Sequence, residues 1–181
     1  MNLGLFNETV ERARAALAAR RVGLANDITK PCPKCHRQLR KDGGCTHCER
    51  DTLLSGGLKR INVNQAKSVL SEPVEVSNPT GATFRFTKEK LLSDTGHLRK
   101  DHLPQDFDRR TKVLLYGIDA ARTSIDIKNG RASRPNELGV YPQRKEVRKQ
   151  YTDKATGEKF DVVVRADSTG DVYEVFDLFP K

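Results

Sequence analysis

The C-terminal 38 residues carry three runs rich in Val, Phe and Tyr, residues that favour β-strands. Successive side chains of a strand point to opposite faces, so alternate residues of the first two runs are assigned to opposite faces of a sheet. The runs cover residues 144–152, 158–166 and 171–179. Two short sequences that end in glycine separate the runs and predict tight turns. We therefore expect an antiparallel three-stranded meander, with Phe160, Val162 and Val164 facing a layer of helices.

Two other parts of the chain space their apolar residues as a helix does. The first is N-terminal, and its stripe is formed by Phe6, Val10, Ala13, Leu17 and Leu24. The second follows Pro104, which suits a first helical turn. Its apolar residues are Phe107, Leu114, Ile118, Ala121 and Ile125. Each stripe predicts an amphipathic helix, and the arginines of the N-terminal one lie mostly off its apolar side.

Shorter elements are predicted in the middle of the chain. They are a helix over 62–70, strands over 74–76 and 83–87 around a turn, and helical turns at 88–92 and near 97–103. Residues 128–143 contain repeated glycine and proline and predict a loop. Helices that precede a terminal meander indicate an α+β fold, with the helices packed on one face of the sheet.

The cysteines form two Cys-x-x-Cys pairs separated by nine residues, Cys32 with Cys35 and Cys45 with Cys48. A short hairpin between two such knuckles brings four thiolates into a tetrahedron, the arrangement of structural Zn²⁺ sites. A segment this short cannot fold on apolar burial alone, so the metal must supply the folding free energy. Four thiolates leave no open position, and the predicted single zinc ion is therefore structural.

A redox dithiol is the alternative interpretation of these cysteines, since Cys-x-x-Cys also occurs in thioredoxin-like enzymes. Two motifs so close together, without a surrounding βαβ pattern, disfavour it. Residues 30–50 closely resemble the short zinc ribbons of bacterial and phage proteins. Those ribbons usually have glycine after each knuckle, where this chain has His36 and Glu49. The resemblance implies a structural or docking module.

Three segments are predicted: an amphipathic basic helix over 1–28, the zinc ribbon over 29–53 and an α+β domain over 58–181. Gly56 and Gly57 mark the second boundary. No apolar run approaches the roughly 20 residues of a membrane span. The N-terminus lacks the continuous apolar core of a secretory signal. We expect a soluble, cytoplasmic protein, bacterial or phage-encoded, with no membrane partner.

The net charge of +9 is concentrated in the first third of the chain. Residues 1–60 hold 12 Lys and Arg against 6 Asp and Glu, whereas the remainder holds 21 against 18. A cationic surface of this kind favours contact with phosphate or another acidic surface. The alternative is a soluble surface that happens to be basic. Phe6 is the sole aromatic residue of the basic part, which disfavours recognition by base stacking.

Candidate catalytic residues lie in the second half of the chain. His97 and His102 are five residues apart, and Glu146, Arg148 and Arg165 are predicted to project from the open face of the sheet. Metal-independent RNA cleavage needs a base, an acid and cations on the phosphate, and these side chains supply all three. The alternative interpretation is ordinary surface histidines beside cross-strand charge pairs.

From about residue 61 onward, the order of elements resembles the barnase–EndoU–colicin–RelE group of ribonuclease folds. The C-terminal sequence from Phe160 to Pro180, rich in Val, Phe and Asp, is similar to that of phage-associated members. The resemblance implies metal-independent ribonuclease activity, with catalytic residues on the open sheet face and nearby loops.

Two functional hypotheses follow from the sequence. The leading one is a zinc-ribbon protein that binds nucleic acid, RNA rather than DNA, and acts as a metal-independent ribonuclease. The other is a non-catalytic adaptor or structural protein of a phage particle or nucleoprotein assembly. Such an adaptor would dock through its ribbon and basic helix onto nucleic acid or an acidic protein surface. The sequence does not indicate an oligomeric state.

Overall fold

The computed structural model describes residues 31–92, 109–136 and 138–181. The predicted N-terminal helix, the helical turn near 97–103 and the two histidines His97 and His102 lie outside the described residues. The chain divides into two compact units, Met1–Cys45 and Thr46–Lys181. In the first unit, the described residues contain an antiparallel bridge between Pro31 and Gln38.

The second unit contains helices and a six-stranded mixed sheet, which confirms the predicted α+β fold. Its helices are α1 Thr46–Ser55, α2 Val63–Val69, α3 Lys88–Leu91 and α4 Leu114–Thr123. Its strands are β1 Val74–Ser77, β2 Thr83–Phe86, β3 Ile127–Arg131, β4 Gln143–Thr152, β5 Lys159–Thr169 and β6 Val172–Pro180. Residues 109–112 are also helical and lead into α4 through Val113.

The strand order is β1-β2-β6-β5-β4-β3. The predicted meander is confirmed as β4-β5-β6, in which each strand runs antiparallel to the next. The hairpin β1–β2 joins the same sheet, since β2 pairs with β6 in the parallel direction. The register of β5 against β6 shifts between Arg165 and Ala166. The prediction of three sheet strands was therefore incomplete, since local patterns do not reveal which distant strands pair.

The prediction of a loop over residues 128–143 was wrong in its first part. Asn129 and Gly130, a pair typical of turns, lie within β3 opposite Lys145 and Arg144 of β4. Lys145 Nζ donates to Asn129 Oδ1 over 2.8 Å. Backbone ladder bonds form whatever the side chain is, so an edge strand accommodates this pair.

Helix α4 lies against the sheet on the face predicted for Phe160, Val162 and Val164. Leu114 and Ile118 of α4 are buried, and so are all three strand residues. Ile125 departs from the predicted stripe, because 78% of its surface is exposed. The helix ends at Thr123 and Ser124 adopts an extended conformation, so the chain loses its helical phase before residue 125.

The turn between β1 and β2 also closes the end of α4. The Nδ2 group of Asn78 donates to the carbonyl oxygens of Ala121 and Ser124, each over 2.7 Å. These carbonyls lie at a helix C-terminus, where no intrahelical donor is available. Asn78 is 5% exposed, so the turn is held in the core by this contact.

Candidate metal centre and charged sheet face

The four cysteine sulfurs form one cluster, in which all Sγ atoms lie within 4.8 Å of one another. None of the cysteines is in a disulfide, and the Sγ atoms of Cys35 and Cys45 are 3.4 Å apart. Zn–S bonds of roughly 2.3 Å in a tetrahedron place sulfurs about 3.8 Å apart, so the cluster has the dimensions of a Cys₄ zinc site. Four soft thiolates are also the ligand set that zinc prefers.

The first pair of cysteines sits in a knuckle closed by backbone hydrogen bonds. The Cys32 amide donates to the Arg37 carbonyl, and the His36 amide donates to the Cys32 carbonyl, both over 2.8 Å. His36 has φ of +57°, in the left-handed region that favours glycine. This left-handed conformation explains why zinc ribbons usually have glycine at this position. His36 adopts the required conformation without the steric freedom of glycine.

The second pair is arranged differently from the predicted knuckle. Cys45 directly precedes α1, and Cys48 lies in the first turn of that ten-residue helix. Glu49 is helical, so no left-handed residue is needed after Cys48. The partial positive charge at a helix N-terminus stabilises a thiolate placed there. The sequence pattern predicted the clustering of the four cysteines correctly, but not the helix that carries Cys48.

A tight turn returns the chain to Cys45. The Arg40 amide donates to the Gly44 carbonyl over 2.8 Å, and Gly43 occupies the left-handed region at φ of +80°. The Gly44 amide donates to Asp42 Oδ1 over 3.0 Å. This bond, assisted by Arg40 Nε at 3.2 Å, holds the pKa of the Asp42 carboxyl below its ordinary value.

Helix α1 is fixed onto α2 by polar contacts as well as by its buried Leu53. Ser68 Oγ donates to Glu49 Oε2 over 2.7 Å, and Arg50 Nε donates to the Val69 carbonyl over 3.1 Å. Ser68 and Leu53 are each 3% exposed. Cys48 is thus part of a helix whose position is set by the folded unit.

The structure brings together three of the predicted catalytic residues, Glu146, Arg148 and Arg165. They project from the open face of β4 and β5 and line one cavity of about 300 Å³, the sheet-face cavity. Arg165 Nε donates to Glu146 Oε2 over 2.8 Å, and Arg148 Nε donates to Asp161 Oδ2 over 2.8 Å. The residues predicted to form a catalytic cluster therefore also form the charge pairs that the alternative interpretation predicted.

Sequence reasoning missed several side chains of this cavity. Arg109 lines it from the helical residues before α4, and Phe179 lines it from β6. The Arg165 guanidinium lies 5.0 Å from the centre of the Phe179 ring, and its Nη1 lies 3.7 Å from Asp177 Oδ2. The alternation of β5 placed Asp161 on this face, but no local pattern links Arg109 to the sheet.

The opposite face of the sheet carries a hydrogen-bonded cluster around Asp119. Tyr151 Oη donates to Asp119 Oδ2 over 2.7 Å, and Lys149 Nζ approaches the same oxygen to 3.0 Å. Burial pushes the pKa of Asp119 upward, but these two bonds outweigh it and the pKa lies below its ordinary value of 3.8. Burial and the neighbouring carboxylate raise the pKa of Tyr151. The cluster joins α4 to β4 and has a structural role.

No protein-family model, curated protein or solved structure matches this chain. The resemblance to the ribonuclease-fold group stays a prediction that rests on element order and strand sequence. In the part of the chain that the structure describes, no helix has both the length and the apolar composition needed to cross a bilayer.

Proposed function

We propose that this chain is a structural-zinc protein that binds nucleic acid, RNA in preference to DNA, through cationic surfaces. The observation that carries the proposal is the group of four cysteine sulfurs within 4.8 Å. Cys32, Cys35, Cys45 and Cys48 would hold one Zn²⁺ and leave no position open for substrate. The metal therefore supplies folding free energy to the segment, and binding is the task of the surrounding side chains.

The residues around the first knuckle support the binding role. Between Pro31 and Cys45 there are four basic residues and one acidic residue. Lys34 and Lys41 are exposed, and Arg40 is paired with Asp42 at 3.2 Å. A polyanion that reaches exposed cations releases its condensed counterions, which makes binding favourable and strongly dependent on salt.

The test is binding of the zinc-loaded full chain to a fluorescent single-stranded RNA, measured by anisotropy at several salt concentrations. We expect affinity to fall steeply with salt. We also expect Lys34→Gln/Lys41→Gln to lower the magnitude of the salt slope by about 1.4, or 0.7 for each lost contact. The matched control is Lys67→Gln/Lys88→Gln, which removes the same charge from α2 and α3. Absence of RNA binding, or binding to an acidic protein alone, would favour the adaptor instead.

A second candidate function is metal-independent RNA cleavage. The observation that favours it is that Glu146, Arg148 and Arg165 line one cavity. In this mechanism, Glu146 or His97 removes the proton of the 2′-hydroxyl, and the 2′-oxygen attacks the phosphorus. The bond to the 5′-oxygen breaks, and His102 donates a proton to that oxygen. Arg148 and Arg165 exchange their carboxylate partners for the phosphate and stabilise its added charge.

The cleavage test uses RNA with chelator present and the zinc content monitored throughout. We expect cyclic phosphate products from the wild-type chain, none from a folded His102→Ala chain, and none from whichever of the folded His97→Ala and Glu146→Gln chains lacks the base. Lys67→Ala is the matched control and should cleave normally. Intact RNA in every sample would exclude the enzyme and leave the binding function.

A further inference from the structure

A second and larger cavity lies in the unit Thr46–Lys181, apart from the residues predicted to be functional. Its volume is about 430 Å³, and we refer to it as the basic cavity. Its basic lining residues are Arg60, Arg109, Lys112, Lys159 and Lys181. Within the described part of the chain, Glu158 is the one acidic side chain that lines the cavity. The cavity therefore concentrates positive charge in a concave surface.

Four separate parts of the fold deliver these cations. Arg60 precedes α2 and is held by Asp153 Oδ2 and Glu158 Oε2, each at 2.8 Å. Arg109 belongs to the helical residues before α4, and its Nη2 donates to the Pro180 carbonyl over 3.0 Å. Lys181 extends the ladder beyond β6, because it exchanges two backbone hydrogen bonds with Asp161. The arrangement is thus built by the fold and not by one flexible segment.

The carboxylate of Glu158 is already engaged. Glu158 accepts a 2.8 Å hydrogen bond from Arg60 Nη2, and Arg60 Nε also pairs with Asp153, so these three side chains together carry one negative charge. Arg109, Lys112, Lys159 and Lys181 add four positive charges around the same volume. A concave surface of one sign focuses its field and raises the local concentration of an oppositely charged ligand. The ligand expected here is an anion.

The chemistry of the lining favours phosphate over other anions. Guanidinium groups present paired donors that match phosphate oxygens, and ammonium groups add point charge. Phe160 lines the cavity, but it is 6% exposed and lies under the Arg60 guanidinium at 5.3 Å. No aromatic face is offered for base stacking among the described lining residues, so contact would be with the backbone of a nucleic acid.

The basic cavity also adjoins the sheet-face cavity, since Arg109, Pro180 and Lys181 line both. A strand that follows this shared rim would meet the cations of the basic cavity before it reached Arg148 and Arg165. We propose that the basic cavity binds the phosphodiester backbone of single-stranded RNA, independently of sequence. This assignment rests on the proposed nucleic-acid-binding function and adds where on the α+β unit the contact occurs.

The test is RNA anisotropy with the zinc-loaded full chain carrying Lys112→Gln/Lys159→Gln. We expect roughly tenfold weaker binding at low salt and a salt slope smaller in magnitude by about 1.4. The control chain, Lys67→Gln/Lys88→Gln, loses the same charge elsewhere on the unit and should change affinity much less. Thermal unfolding of each chain separates lost binding from lost folding, and a single Lys159→Gln chain provides a milder variant.

Equal losses in the variant and control chains would overturn the assignment while leaving nucleic-acid binding intact. Absence of RNA binding by the wild-type chain would instead overturn the proposed function and the assignment together. Competition with polyglutamate tests whether the cavity distinguishes phosphodiesters from other negative charges. If polyglutamate displaces RNA as effectively as an unlabelled RNA does, the cavity recognises negative charge alone and the assignment to phosphodiesters is wrong.

Discussion

Arg165 and Glu146 lie directly opposite each other on β5 and β4, with Nε of the arginine 2.8 Å from Oε2 of the glutamate. The arginine side chain is 39% exposed and the glutamate side chain 30% exposed. Their attraction is consequently screened by water and contributes little to folding. Because little free energy is needed to separate this pair, the arginine can exchange the glutamate for a phosphate group.

This relationship predicts a small coupling energy between the two residues. In a double-mutant cycle of Glu146→Gln and Arg165→Gln, we expect a coupling of about 0.2–1 kcal/mol in the free energy of unfolding. Urea denaturation of the four chains measures it. A coupling of several kcal/mol would show that the pair is a buried structural element, and it would argue against a role in phosphate binding.

A second prediction concerns Gly117 in α4, which faces β6. A methyl group on this residue would overlap Cδ1 of Leu178, a side chain that is 1% exposed. We expect Gly117→Ala to destabilise the fold by about 1–3 kcal/mol, because the core has no room for the added carbon. Gly130→Ala is the matched control, since nothing lies within 4 Å of its added methyl group. Similar unfolding free energies for the two variants would contradict the described packing of α4 on β6.

A third prediction concerns pH and the bond between Tyr151 and Asp119. Because the pKa of Asp119 in the folded chain lies below its ordinary value of 3.8, its ionised form stabilises the fold above that pH. This contribution is lost as the pH falls from 3.8 through the lower, folded-state pKa. Tyr151→Phe removes the 2.7 Å bond and should cost about 1–2 kcal/mol near neutral pH.

The pH dependence provides the check on this assignment. In the Tyr151→Phe chain the pKa of Asp119 should rise toward its ordinary value, so less stability is lost in acid. Carboxyl NMR titration and urea denaturation below pH 3.8 measure the two effects. Tyr141→Phe, at a residue that is 51% exposed, should leave both unchanged. An unchanged titration of Asp119 in Tyr151→Phe would refute the described bond.

Patterns within short segments of the sequence predicted the features that depend on those segments alone. The alternation over 158–166 placed Val162 and Val164 on the buried face, and the spacing of the cysteines predicted their cluster. The patterns failed where distant segments decide the outcome. The parallel pairing of β2 with β6 and the pairing of β3 with β4 depend on register between segments, which periodicity does not report.

The residues of the candidate sites also differ in whether a local sequence pattern could predict them. Glu146, Arg148 and Arg165 were found because strand alternation fixes which face a residue occupies. Arg109 lines both cavities, yet nothing in its own sequence neighbourhood indicates the strand against which it lies. The basic cavity combines residues from four separate segments, so only the fold reveals it.

Native mass spectrometry of the full chain measures whether the four cysteines bind one Zn²⁺, as we propose. The chain should carry one zinc ion with all four thiols unoxidised. Cys48→Ser should lose the ion, whereas His47→Ala, its neighbour on α1, should retain it. A wild-type chain without metal, or one whose mass reveals hydrogens lost to disulfides, would contradict the account.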